Sequence, residues 1–504
     1  MNTNFVPISL VAIGMMTVTI FASGCGNVIR RGQSPDDSLM KFSERNDSTR
    51  FIGEICGVRG LRPMQIEGIG LVVGLEGTGS EPAPSSQKDY LLKELKTNRT
   101  TPNPKSAIAS KNTSMVMIRG MIPPAAKKGD KIDLEIITPP RSDTRSLKYG
   151  ELLKTDLRPM AFLSRSVKLG NVLGKAKGIV LVDSLFESSQ DDQHLMKGRI
   201  LGGGTLDDDR PITLVIHSED TSVKLTRMMA HSINQRYSSY SAEGRDDAAN
   251  PVTDRIIELN IPDEYKHNLG RFIQSLQAMA YGEKVSERAE RLKDLDRRIS
   301  DPETARRAAI ELEAIGSDGV LALQQALKHP DFEVRFYAAE SLAYMGETDG
   351  IDILQIAAKN EPAFRWHALT ALASINHPVA DSSIKELLNL PSAETRYGAF
   401  RSLQASSPND RSIKGKLLVD EYYLHEIESD ADCIVHFSRT KKPEIVVFGN
   451  QRVSENFLYV EAGLTVKAID KDRIQVIQFN PVEGKKRVTC STNIADLIAT
   501  LARF

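Results

Sequence analysis

Cysteine is scarce, with four in 504 residues, and tryptophan occurs once. Neither a Cys-x-x-Cys nor a His-x-x-x-His spacing is present, so the ligand patterns of structural zinc are missing. An excess of one charge is missing too: 65 Lys and Arg stand against 66 Asp and Glu. Global charge therefore favours no nucleic-acid or acidic-surface partner. No Ser/His/Asp, Cys/His or paired-carboxylate arrangement stands at a recognisable spacing. The expectation is a protein without enzymatic activity and without a cofactor. Long apolar runs are absent after the first two dozen residues.

What is present begins with that run. Residues 5–24 are apolar and small, ending Ile20-Phe21-Ala22-Ser23-Gly24-Cys25. A membrane anchor of that length is one reading. Small residues packed against a cysteine favour a signal peptide over residues 1–24, cleaved before Cys25. Ala22-Ser23-Gly24-Cys25 resembles a bacterial lipobox, which implies lipidation of Cys25 and a membrane-anchored, outer-membrane lipoprotein facing the periplasm. Residues 25–50 are polar and without apolar period, as a flexible tether is. Of the remaining cysteines, Cys433 and Cys490 fall in apparent strands of one small segment, so a disulfide between them and two buried free thiols are both open readings.

The stretch from Gln65 to Gly79 has glycines at 68, 70, 74, 77 and 79 around an apolar run too short for a helix. It reads as a buried strand entered and left through tight turns. Gly74 to Gly79 has phosphate-loop glycine spacing, but Ser80 and Glu81 follow where Lys and Ser/Thr are required. Gly68, Gly70 and Gly74 are one residue too widely spaced for a dinucleotide fingerprint. These glycines are therefore expected to shape backbone. Asp207, Asp208 and Asp209 stand in succession, whereas calcium loops interleave their ligands, so a solvated turn is expected there and no metal site. His217 and His231 lack partners at catalytic spacing and read as structural.

The run Glu54-Ile55-Cys56-Gly57-Val58-Arg59-Gly60, then Gln65, Gly68-Ile69-Gly70-Leu71-Val72-Val73-Gly74-Leu75 and Gly77-Thr78-Gly79, resembles the start of the mature bacterial flagellar P-ring protein. The resemblance continues through Pro123-Pro124, Gly129-Asp130, Ser146-Leu147 and Gly150, and through Gly198-Arg199-Ile200, Gly203 and Thr205. Strand Ile212–Ile216, a helix capped by Asp220 or Thr221, strand Arg255–Ile261 and a helix from Leu269 to Met279 then predict an α+β sandwich with both helices on one sheet face.

An internal repeat follows. With Ala305, Arg335, Arg365 and Arg396 taken as equivalent, alanine recurs three positions on (Ala308, Ala338, Ala368, Ala399) and leucine seven on (Leu312, Leu342, Leu372, Leu403). Gly316 and Gly346 read as helix ends, and Asp301-Pro302 and Pro330-Asp331 as helix starts. The pattern resembles a short HEAT-like solenoid of stacked helix pairs. Strands return after 428, with a closing helix from Asn493 to Ala502. Glu444 to Gly449, Arg452-Val453-Ser454, Leu464-Thr465-Val466 and Ile494-Ala495-Asp496-Leu497 are similar to the late part of the P-ring family.

The expected fold class is α+β, P-ring-like mixed sheet and helix domains with an inserted all-α HEAT-like solenoid. The P-ring-like region spans 51–283, the inserted repeats 284–427, and the closing P-ring-like segment 428–504. The resemblance implies a structural subunit that forms a homo-oligomeric ring around the flagellar rod in the cell envelope, with no nucleic acid bound and the membrane reached through the lipid anchor. The alternative is a non-flagellar lipoprotein adaptor whose repeats bind another envelope protein.

Overall fold

The computed structural model describes residues 49–98, 101–163, 166–182, 192–217, 221–241, 244–418, 422–438, 443–461, 463–480 and 484–503. The expected leader, Cys25 and nearly all of the tether lie outside the described residues.

A helical turn, α1 (Ile52–Ile55), and strand β1 (Cys56–Arg59) precede a closed six-stranded barrel. Its walls are β2 (Met64–Val73), β3 (Thr113–Ile122), β4 (Lys131–Ile137), β5 (Glu151–Leu157) and, after the hairpin β6 (Met160–Leu163) and β7 (Ser166–Leu169), β8 (Gly174–Ile179) and β9 (Lys197–Leu206). They join in the order β2-β3-β4-β9-β8-β5, and Val72 opposite Leu152 closes the ring. Side chains along β2 alternate. Ile66 and Val72 point into the barrel core, while Ile69 and Leu71 point outward under α2 (Ser86–Thr97) and α3 (Pro104–Ile108).

That alternation explains the glycines. Gly68 and Gly70 lie in mid-strand on the inward face, so they do not bracket the strand as the sequence suggested. A Cβ on Gly70 would stand 2.7 Å from Thr155 Oγ1, and one on Gly68 would stand 2.9 Å from the Asp156 carbonyl oxygen. The interior has room for β5 only because those side chains are absent. Gly74 and Gly77 do make the turn, with φ of 80° and 77°.

Next comes a four-stranded sheet in the order β1-β10-β14-β13, from β10 (Ile212–Ile216), β13 (Ala249–Pro251) and β14 (Ile256–Leu259). The small hairpin β11 (Ser239–Ser241) and β12 (Gly244–Asp246) precedes β13. Helices α4 (Val223–Tyr237) and α5 (Leu269–Gln277) bury Met229, Ile233, Phe272 and Leu276 in one core with Leu214 and Ile257 of the sheet. The cap of α4 is Ser222, one residue later than expected, whose side chain accepts from the Leu225 N–H.

Helix α6 (Val285–Ile299) leads into the array: α7 (Ala305–Ile315), α8 (Val320–Ala326), α9 (Phe332–Tyr344), α10 (Ile351–Asn360), α11 (Arg365–Ser374), α12 (Pro378–Leu387) and α13 (Ala393–Ser406). Inner helices α7, α9, α11 and α13 carry the repeat, and all its alanines and leucines are fully buried. Gly316 and Gly346 follow α7 and α9 with positive φ, and Asp331 caps α9.

The helices stop at Ser406. Part of the segment assigned to repeats through 427 is strand: β15 (Gly415–Leu418) and β16 (Tyr422–Ile427) share a sheet with β17 (Ile434–Phe437) and β18 (Glu444–Phe448), ordered β15-β16-β18-β17. Leu424 and Ile427 are buried on opposite faces of β16, the first in a cluster with Val447 and the second with Val446 and Phe448. This sheet replaces the outer helix of the fourth repeat and closes the array. The last sheet, β19 (Leu458–Glu461), β20 (Leu464–Ala468), β21 (Arg473–Asn480) and β22 (Gly484–Ser491), is a meander. Helix α14 (Ile494–Leu501) lies between the two sheets, Ala495 packing with Leu424 and Val447, and Leu497 with Val466 and Val476.

Candidate functional site

Fully buried charge is rare, because an ion withdrawn from water needs a partner. In this chain it collects where α5 meets the array. Arg271 of α5 donates to Glu313 of α7 at 2.6 and 2.9 Å, to Glu340 of α9 at 3.0 Å and to the Ser341 hydroxyl at 2.7 Å. The Tyr265 hydroxyl donates to the other Glu313 oxygen at 2.8 Å, and Asn268 donates to the Tyr344 hydroxyl at 2.9 Å. Tyr265 and Tyr344 stack at 5.0 Å between ring centres. His367 of α11 lies 3.6 Å from Glu340. Two inner helices of the array, α7 and α9, are thus held by one short segment of the sheet domain, and α11 reaches the same cluster through His367.

The electrostatics follow from this packing. Burial lowers the Arg271 pKa, but Glu313 and Glu340 outweigh it and hold the guanidinium above its ordinary value. For Glu340, burial pushes upward, and Arg271 with His367 brings the carboxyl below its ordinary value. Burial pushes Tyr237 up to about 12 and lifts Tyr265 and Tyr344. The tyrosines are hydroxyl donors and acceptors at neutral pH, and the arginine and Glu340 are ions. Its groups satisfy one another, as those of a structural joint do.

The repeat arginines have a second role that spacing alone did not reveal. Arg335 donates to the carbonyl oxygens of His329 and Pro330 at 2.7 Å each, and Arg365 to that of Ala358 at 3.0 Å. Arg396 reaches those of Pro391 at 3.4 Å and Asp432 at 2.6 Å. Arg365 ties α11 to the C-terminal turn of α10, and Arg335 and Arg396 tie α9 and α13 to the loops that lead into them. Arg396 also fastens the array to the second sheet, where Arg401 meets the buried Glu444 at 3.0 Å.

A cleft of about 980 Å³ opens between β13, the loop at 260–267 and the ends of α11 and α13. Among its lining charges Arg245 pairs with Asp247 at 2.8 Å and Lys266 with Asp263 at 2.5 Å, and Lys127, Asp246 and Glu264 also line it. Both signs of charge are therefore present in the cleft.

The residues singled out from sequence are dispersed. Cys433 and Cys490 are free thiols, the first exposed and the second half-buried. The pairing considered for them is not formed here, because Cys433 precedes β17 and Cys490 lies on β22, in different sheets. Cys56 is buried, and burial pushes its thiol up to about 12. Asp209 accepts from the Lys128 N–H and Asp207 lies 3.4 Å from Lys175, as a solvated turn requires. Among the described residues no group of three or more His, Cys, Asp or Glu side chains is placed to hold a metal ion. His217 and His231 are both exposed. Arg271, Glu313 and Glu340 were not anticipated. The available signal was a charged residue within a helical face that is otherwise apolar.

A closed barrel, a helix-backed sheet and a helical array fastened at both ends define the class: an α+β protein carrying a HEAT-type solenoid. Residues 51–289 match the flagellar P-ring protein family, and residues 290–364 match HEAT repeats. The front of the chain is therefore similar to the P-ring family and the segment after it to HEAT repeats. Similar curated relatives include the flagellar P-ring protein of Geobacter metallireducens, 28% identical over 240 residues, 45% of this chain and 60% of that one. That of Thermotoga maritima is 28% identical over 240 residues, 45% and 66% of the two chains. That of Aliarcobacter butzleri is 32% identical over 173 residues, 34% and 43%. The chain thus spans less than two thirds of the length of these relatives. The family match stops at residue 289, short of the closing segment expected to resemble it.

Proposed function

We propose that this protein is a structural subunit of a flagellar P-ring-like ring in the bacterial cell envelope, assembling with copies of itself around the rod. The match of residues 51–289 to the P-ring family carries the reading. A barrel filled by its own side chains and a buried ionic joint whose groups satisfy one another fit a building block without chemistry of its own. In this reading residues 284–406 are a brace inserted into a P-ring-like chain. Cys25 bears the lipid and residues 25–50 tether the folded part to the membrane from the periplasmic side. No helix among the described residues is long and apolar enough to cross a membrane.

The adaptor reading is less favoured. The inner-helix face, on which a solenoid commonly receives a partner, is occupied here by α5, by Tyr265 and by the sheet of β16 and β18. A deletion strain scored for swimming and for P-rings in isolated basal bodies tests the function: loss of both supports it, and intact rings with normal swimming overturn it. Mass spectrometry of the mature chain tests the anchor, with a diacylglycerol on Cys25 expected and an unmodified thiol contradicting it.

A further inference from the structure

The sheet edges of this molecule are treated unequally. At β13 the outward N–H and carbonyl of Ala249 are both taken by the Asn234 side chain, at 2.8 Å each, which leaves neither for another strand to bind. At β19 three successive apolar residues, Leu458, Tyr459 and Val460, are 65%, 44% and 67% exposed. Among the described residues β19 pairs with β20 alone and β22 with β21 alone, so no further strand of those residues covers either edge of the last sheet.

The cross-strand register places Leu458 beside Lys467 and Val460 beside Thr465 on the sheet face away from α14. Ile477, Phe479, Lys485 and Arg487 share that face. Among the described residues Lys467, Lys485 and Arg487 form no salt bridge. Strand β22 cannot pair with a second β22, because Lys485, Lys486 and Arg487 would meet their own kind.

We infer that β19 of one copy pairs with β22 of the next, so that the last sheet runs on from subunit to subunit. This rests on the ring reading above and names the surface through which the ring closes. In a four-stranded meander the first and last strands run in opposite directions. Copies related by rotation about a ring axis therefore present β19 and β22 to each other antiparallel, the direction in which strands with open edges pair readily. Pairing β19 with another β19 needs a two-fold axis, which such a ring lacks. With Tyr459 opposite Val488 of the next copy, two apolar side chains meet on the face toward α14. On the other face Val460 lies against the aliphatic stem of Arg487 of the next copy, whose guanidinium stays in water.

The test is sedimentation velocity over a concentration series with the full-length protein purified in detergent. V460K puts like charge beside Arg487 of the next copy at a site already in solvent, and thermal melting checks that the fold is kept. Association is expected to weaken at least about tenfold, from lost apolar contact and added repulsion. The double variant V460K/R487E should restore it. Wild-type assembly that V460K leaves unchanged overturns this interface while the ring reading stands. Loss in V460K without recovery in the double variant overturns the β19 to β22 pairing. A wild-type protein monomeric at every concentration overturns the ring reading and this one with it.

Discussion

Arg271 and Glu313 are 42 residues apart in sequence, belong to a sheet-domain helix and to the first repeat helix, and meet at 2.6 Å with almost no exposure of either side chain. That contact joins the helix-backed sheet to the array, and the two share one core. It leads to the first prediction. Arg271→Met leaves Glu313 and Glu340 buried without their cation and should cost about 3–5 kcal/mol of stability. Chemical denaturation followed by circular dichroism measures it. A cost below about 1 kcal/mol, the level of an exposed ion pair, would mean the joint is not what fastens the array.

The same cluster sets a dependence on pH. Glu340 has a folded-state pKa below its unfolded value, so its contribution is fully present above the ordinary glutamate range and is lost as pH falls through the lowered value. Asp410, held at about 2 against the pull of burial by Lys385 and Ser412, acts with the same sign. Stability should therefore fall in acid, and Glu340→Gln should flatten that slope while lowering stability at neutral pH. Melting curves from neutral to acidic pH read both effects.

Two glycines after α9 separate steric crowding from backbone strain. A Cβ at Gly350 would stand 2.7 Å from both Cα and Cβ of Ala339, where α9 and α10 approach. Gly346 has open space but a φ of 81°. Gly346→Ala should cost about 1 kcal/mol from the left-handed backbone. Gly350→Ala should cost more, about 2–3 kcal/mol, because backbone has to move. Thermal unfolding of the two variants gives the order, and the reverse order would contradict the packing described.

Asn234 supplies the fourth prediction. Asn234→Leu removes both bonds to Ala249 and should cost about 1–3 kcal/mol for the unsatisfied groups. It also opens the β13 edge, so light scattering should detect non-specific aggregation that the wild-type protein lacks.

Much of this was legible in the sequence, for identifiable reasons. The repeat was readable because Ala308 and Leu312 recur at a fixed spacing, and close helix packing demands small and large residues at fixed positions. Strand β2 was readable from its apolar run, but not the inward placing of Gly68 and Gly70, since that depends on β5, which crosses them from more than 80 residues away. The end of the array was misplaced because β15 and β16 are short and border helix. The joint was hidden because Arg271, Glu313 and Glu340 are ordinary charged residues until three helices bring them together.

Electron microscopy of the purified full-length protein addresses the central claim most directly. A self-assembling ring subunit should give closed annular particles of uniform diameter. A field of single particles that stays monomeric as concentration rises would contradict it.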